Sequence, residues 1–421
     1  MSRLLPSLPF RERRRTMKRD SFLKIALTAL MLVLLVFIGF AWSQNESVQD
    51  HSRQLPYAPD RILVKFKPVT HESMKAFLHR WHGGRVIDVI PELDVHVVQI
   101  PENRVRQKVR AYQREPWIEY AEPDYVAQAF FEPDDPGFEN QWGPSKIRAP
   151  EAWDLTEWLS EVRIAICDTG IDQNHEDLLG KIVANKNFTS SRSVDDKFGH
   201  GTHVAGIAAA VTDNGLGVAG VGFNSRLMNV KVLGDNGSGY YSWVVKGITW
   251  AADNGAKVIN LSLGGSAGSG TLLNAINYAW GKGCVIVAAA GNDGSGNPSY
   301  PAYYEKCIAV AATDQNDGKA NFSNHGTWVD VAAPGVDIYS TLPNHKHQLG
   351  TRNYGTLSGT SMAAPHVAGV AALVWATEYG TDNSTVRERI ETTGDELEDT
   401  LGNYGIGRVN AYLAVGGTPL P

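Results

Sequence analysis

Three cysteines among 421 residues are too few, and odd in number, to frame a disulfide scaffold. Cys167, Cys284 and Cys307 each lie in an apolar run ("VRIAICD", "GCVIVAAAG", "CIAVAAT") where a free thiol packs as a small hydrophobe. One disulfide stays compatible with the sequence, but stability must come chiefly from a core or from metal ions. Positive charge is also short: 39 basic residues face 45 acidic ones, a net charge of −6. No broad basic surface is implied, which argues against a nucleic-acid partner. No HExxH pattern or Cys/His cluster supplies further ligands to the paired histidines His200 and His203, so a metal-centre reading of "HGTH" fails.

What is present is a globular composition, 43% hydrophobic and 20% charged with 42 glycines, in a chain long enough for two or more domains. Basic residues cluster once, in "RERRRTMKRDSFLK", directly before the apolar run at residues 25–42. A cationic stretch, an apolar run and the small-x-small site Ala41, Trp42, Ser43 read as an export signal cleaved before Gln44, with Met17 as an alternative start. An uncleaved membrane anchor is the competing reading. Both place the rest of the chain outside the cytoplasm, and any membrane contact would run through this segment alone.

Residues 1–43 are therefore assigned as signal or anchor and the polar residues 44–59 as linker. Between residues 60 and 130 the pattern is βαββαβ ("RILVKF", "HESMKAFLHRWH", "RVIDVI", "LDVHVVQI", "ENRVRQKVRAYQRE", "WIEYAEPDYVAQA"), the order of a small α+β ferredoxin-like domain. Residues 131–421 alternate apolar strands with helical segments, which predicts an α/β domain with a mostly parallel sheet and helices on both faces. Functional groups in such sheets gather at the carboxyl ends of strands.

Asp168 ends "VRIAICD", His200 opens "HGTHVAG", and Ser361 lies at the start of the helix-like "GTSMAAPHVAGVAALVWA". Small residues around Ser361 admit a substrate backbone, and Pro365 is expected in the first helical turn, where its missing N–H costs nothing. The order Asp, His, Ser fits one convergent form of the serine nucleophile–base–orienter set. A lipase or esterase does not fit, because G-x-S-x-G is not satisfied around Ser361 and the histidine would come last. A catalytically silent peptide-binding module remains the alternative of a different class.

Together "VRIAICDTGID", "GHGTHVAG", "INLSLGG", "VAAAGND" and "GTSMAAPHVAG" resemble the subtilisin-like serine proteases, the subtilases, from about residue 131 to 415. The resemblance implies a subtilisin-like fold and a serine endopeptidase with Asp168, His200 and Ser361 as its triad. It assigns Asn292 to the oxyanion hole and leaves His203 and His366 structural roles. It also implies a peptide substrate held between Gly237, Ser238, Gly239 and Ser262, Leu263, Gly264, with Tyr241 lining S4. Ser299 is expected near the base of the S1 pocket; no acid stands there, which predicts broad specificity with apolar or aromatic P1 residues.

By the same resemblance the loop "VTDNGLGV" is a Ca2+ site using carbonyls of Val211, Leu216 and Val218, the Asn214 side chain and the carboxylates Asp135 and Asp177. A second, aspartate-rich calcium loop of some members is not carried over, since Asn187, Ser190 and Arg192 stand at its acidic positions. Asp195 and Asp196 are expected in a solvated turn, with a different ion site as the alternative. The first domain takes the role of an inhibitory propeptide whose "DYVAQAF" exit occupies the cleft, with autocatalytic cleavage around residues 129–131. A permanent accessory domain is the alternative. The expected mature product is a secreted, monomeric endopeptidase acting on proteins or peptides.

Overall fold

The computed structural model describes residues 57–126, 131–156, 161–397 and 404–418. The signal or anchor, most of the linker and the cleavage positions Ala129 and Phe130 lie outside the described residues. The chain divides into two compact units, Met1–Gln128 and Ala129–Pro421.

In the first unit β1 (Tyr57–Phe66), α1 (Glu72–Trp81), β2 (Arg85–Ile90), β3 (Val95–Gln99), α2 (Val105–Gln113) and β4 (Ile118–Tyr125) follow the expected order. The sheet is antiparallel in the order β2-β3-β1-β4. Alternation along β1 buries Ile62, Val64 and Phe66 against Leu78 of α1 and Val109 and Tyr112 of α2. The "PE" break becomes the turn between β2 and β3.

The second unit begins with α3 (Trp142–Lys146) and α4 (Ala149–Thr156), then builds its sheet from β5 (Arg163–Asp168), β6 (Ile182–Asn187), β7 (Arg226–Lys231), β8 (Val258–Leu261), β9 (Val285–Ala289), β10 (Cys307–Thr313) and β11 (Val331–Pro334). All seven strands are parallel, in the order β11-β10-β9-β8-β5-β7-β6. Helices α5 (His200–Ala209), α6 (Tyr241–Asp253), α7 (Gly270–Gly281), α8 (Thr360–Ala376), α9 (Asn383–Thr392) and α10 (Ala411–Ala414) complete it, with a hairpin of β12 (Ile338–Leu342) and β13 (Asn353–Leu357). Helices α5 and α8 contribute to one apolar core, α6 and α7 to another, and the central strands send alternate side chains to each. Apolar on nearly every side from Met362 to Val374, α8 is a buried helix rather than an amphipathic one.

All three cysteines are free and buried, so the core supplies what a disulfide might have. Pro365 does not occupy the first turn of α8 but sits inside the helix, where it deprives the Ser361 carbonyl of its i+4 donor. Ser262 Oγ donates to that carbonyl at 2.8 Å and satisfies it. The turn carrying Asp195 and Asp196 is not simply solvated either. Asp196 is fully buried and accepts from the backbone N–H groups of Phe198, Gly199 and Thr202 and the hydroxyls of Thr169 and Thr202. A carboxylate among the unpaired N–H groups of a helix start is favoured by the α5 dipole.

Candidate active site

Asp168 ends central strand β5 and is fully buried, while His200 is the first residue of α5. Their elements are held at close quarters by Gly201: a Cβ there would stand 2.1 Å from the Gly170 carbonyl oxygen. Asp168 Oδ1 accepts from His200 Nδ1 at 2.8 Å and from the Thr169 N–H at 2.7 Å. Burial of the His200 ring opposes its charged form, but the Asp168 charge and hydrogen bond outweigh that and hold its pKa above the usual imidazole value. The Nδ1 contact leaves Nε2 as the ring's working nitrogen.

Ser361 is the second residue of α8, and Gly359 rather than a serine stands at the N-cap. Its Oγ donates to the Ser262 carbonyl at 3.2 Å, while Ser262 Oγ bonds the Ser361 carbonyl in return and accepts from Asn260 Nδ2 at 2.9 Å. Ser262 and His200 line one groove of about 320 Å3 with Gly237, Ser238, Gly239, Tyr241, Leu263 and Gly264. All the expected substrate-edge residues thus meet there, and Ser299 Oγ lies 2.7 Å from where a Cβ on Gly264 would be.

Asn292 follows β9 on an exposed turn. Its Oδ1 accepts from the Thr360 N–H at 2.9 Å and the Thr360 hydroxyl at 3.0 Å. A backbone N–H can only donate, so the amide oxygen must face Thr360, leaving Nδ2 as a donor beside the start of α8. Histidines 203 and 366 are packed instead. His203 Nε2 bonds the Gly355 carbonyl, His366 Nδ1 bonds the Met362 carbonyl, and burial pushes their pKa values down to about 3 and about 4.

The loop at residues 211–218 closes around two buried carboxylates. Asp135 Oδ2 accepts from the Asp213 N–H at 2.7 Å; Asp177 accepts from Asn214 Nδ2 at 3.0 Å and from the Val218 N–H at 2.6 Å. Val211 N–H bonds the Asp177 carbonyl, and Leu216 N–H bonds Asn214 Oδ1. Burial drives the Asp177 pKa up to about 6 and raises that of Asp135. Their hydrogen bonds come from backbone amides, the Asn214 amide and the Tyr354 hydroxyl rather than from a lysine or arginine, which leaves two carboxylate charges beside each other with only neutral donors bonded to them. That is a fit for a hard divalent cation such as Ca2+.

Two contacts escape sequence reading. Ser262 was expected only as a substrate edge, yet it braces the turn that carries Ser361; an interior proline in α8 was the available signal. Asp196 anchors the start of α5, and its position four residues before His200 was the only clue.

The family model described as the Subtilase family matches residues 160–408, and the Fervidolysin N-terminal prodomain model matches residues 43–124. Thermitase of Thermoactinomyces vulgaris is 53% identical over 68% of this chain and 99% of its own length. A thermophilic serine proteinase of Bacillus sp. (strain AK1) is 43% identical over 85% of this chain and 88% of its own. A solved protease structure from Pseudoalteromonas arctica, 36% identical, covers 67% of this chain and 98% of that one at a TM-score of 0.63.

Proposed function

Because this chain belongs to the subtilase family of serine peptidases and carries an N-terminal prodomain, we propose that it is an exported zymogen whose Asp168, His200 and Ser361 form the catalytic triad. The observation that carries this reading is the 2.8 Å Asp168–His200 contact in the groove that Ser262 links to Ser361.

Ser361 Oγ attacks the scissile carbonyl as His200 Nε2 takes its proton; the same nitrogen then protonates the departing amine. Water, activated by His200, hydrolyses the acyl-enzyme. Asp168 fixes the ring tautomer and stabilises the imidazolium. The Ser361 N–H and Asn292 Nδ2 receive the oxyanion, and Asn292→Ala is expected to lower kcat by roughly a hundred- to thousand-fold with KM little changed. Steady-state kinetics on one peptide checks both values.

Substrate lies as an added strand between Gly237–Gly239 and Ser262–Gly264, where main-chain bonds give affinity with little sequence demand. Leu263, Gly264 and Ser299 border S1 and Tyr241 borders S4, favouring apolar or aromatic P1 residues. Asp135, Asp177, Asn214 and the carbonyls of Val211, Leu216 and Val218 hold Ca2+, which ties the start of the peptidase unit to its body. Residues 60–130 serve as inhibitory propeptide, released by self-cleavage near residues 129–131, and the mature enzyme acts as a secreted monomer.

Catalysis requires neutral His200, so kcat/KM should fall as pH drops through its raised pKa, with a midpoint above about 6.5. Asp168→Asn removes the charge that raises it. The acid limb should then move to lower pH and kcat should fall by about 10⁴-fold. A pH–rate profile with an unmoved acid limb would overturn the assignment of that limb to His200.

A further inference from the structure

Outside the catalytic set, Asp172, Asp195 and His345 offer three ligand atoms within 4.8 Å of one another. They come from three segments: the turn after β5, the stretch before α5, and the loop between β12 and β13. Asp172 is fully buried, whereas Asp195 and His345 keep 19% and 26% of their side chains exposed, which leaves a way in from solvent.

The imidazole's orientation is the telling feature. His345 Nδ1 lies 3.2 Å from the Lys346 carbonyl, which can only accept, so Nδ1 carries a proton. A neutral ring must then turn the Nε2 lone pair toward carboxylates at 3.1 Å (Asp195 Oδ2) and 4.0 Å (Asp172 Oδ1). Three electron-rich atoms facing one another require a positive charge among them. A proton on Nε2 reaches Asp195 but not Asp172, whose Oδ1 lies beyond hydrogen-bond range. Asp172 would then keep only the N–H groups of Asn174 and Asn344, at 2.9 and 2.8 Å, against its buried charge. Lys197 also pairs with Asp195, on Oδ2, and leaves Asp172 unpaired. A metal ion between the three satisfies all of them.

We propose that Asp172, Asp195 and His345 form a binding site for a borderline divalent transition metal, Zn2+ in the first instance. One imidazole and two carboxylates suit Zn2+ better than Ca2+, and solvent completes the coordination. Tetrahedral ligands about 2.0–2.2 Å from zinc lie roughly 3.4 Å apart, so Nε2 of the partly exposed His345, at 3.1 Å and 4.0 Å from the two carboxylates, needs to move by less than about 1 Å to stand at ligand distance from both. The outer partners are already in place: the Lys346 carbonyl orients the imidazole and two backbone N–H groups orient Asp172. The ion cross-links the β12–β13 loop to the segments bearing Asp168 and His200.

The test uses the full chain carrying Ser361→Ala, to prevent self-digestion, in millimolar Ca2+, with Zn2+ alone as the probe. Calorimetric titration should find one site of micromolar or tighter Kd, and saturation should raise Tm by several degrees. His345→Ala and Asp195→Asn, both at partly exposed positions and checked for folding by circular dichroism, should each weaken binding at least about tenfold and abolish the Tm rise. Unchanged Zn2+ stoichiometry and affinity in His345→Ala would place the metal on other histidines and overturn the proposal. So would no binding to the parent below about 1 mM, the result expected if His345 serves only as an imidazolium partner of Asp195.

Discussion

Ser361→Ala should lower kcat on a long aromatic-P1 peptide by on the order of 10⁶-fold, leave KM within a few-fold, and stop self-processing near residues 129–131. The substitution removes the attacking oxygen and one hydrogen bond, that to the Ser262 carbonyl at 3.2 Å. Everything else that shapes the turn is borne by the backbone or by neighbours. Ser262 Oγ still reaches the Ser361 carbonyl, Asn292 Oδ1 still accepts from the Thr360 N–H, and α8 keeps its buried apolar surface. The variant should therefore fold, bind peptide, and retain only the slow hydrolysis that a preorganised oxyanion hole gives to attacking water. Intact mass of the purified precursor reads processing, and peptide hydrolysis reads turnover. If the variant folds and still cleaves at more than about 1% of the parent rate, Ser361 is not the nucleophile. If the parent too is inert after propeptide removal, a narrow substrate range or a binding role replaces general endopeptidase activity.

The candidate catalytic residues were legible because each lies in a local pattern that chemistry narrows sharply. Asp168 closes an apolar strand, and His200 and Ser361 open helices whose small residues allow close approach. The supporting contacts were not legible, since their partners are distant in sequence. Ser262 meets Ser361 across 99 residues, and Asp196 meets Thr169 across 27. No local pattern encodes such pairs. Strand β6 escaped because it lies at an edge of the sheet and reads "IVANKN", half of it exposed and half of it polar. Strands β12 and β13 escaped for another reason: "IYSTL" and "NYGTL" are short, and the polar loop 343–352 between them hides the hairpin. The βαββαβ unit was legible throughout because its apolar runs have strand length, β1 alternates and the helices are amphipathic, although β2 is exposed along its whole length.

Removing Ca2+ should cost the peptidase unit roughly 8–16 °C in Tm. At a thousandfold excess over Kd a ligand bound only by the folded state stabilises it by about 4 kcal/mol. For a domain of this size each kcal/mol moves Tm by about 2–4 °C. The physical source lies in Asp177, whose side chain is fully buried and whose carboxyl is pushed up to about 6 by that burial. Ionised at neutral pH without a cation, it sits against Asp135 with only neutral donors for company, a cost that a bound divalent ion reverses. The loop has little freedom to relax, since a Cβ on Gly217 would stand 2.0 Å from Asp177 Oδ2. Asp177→Asn in the Ser361→Ala chain should therefore lose the Ca2+-dependent part of Tm while remaining about as stable as the calcium-free parent. Thermal unfolding in EGTA and in millimolar Ca2+ compares the two directly. A variant that keeps the full Ca2+ response would move the ion away from this loop. A parent with no response would mean that the buried carboxylates are held by neutral donors alone, and that the tie between Asp135 and the loop at residues 211–218 owes nothing to metal.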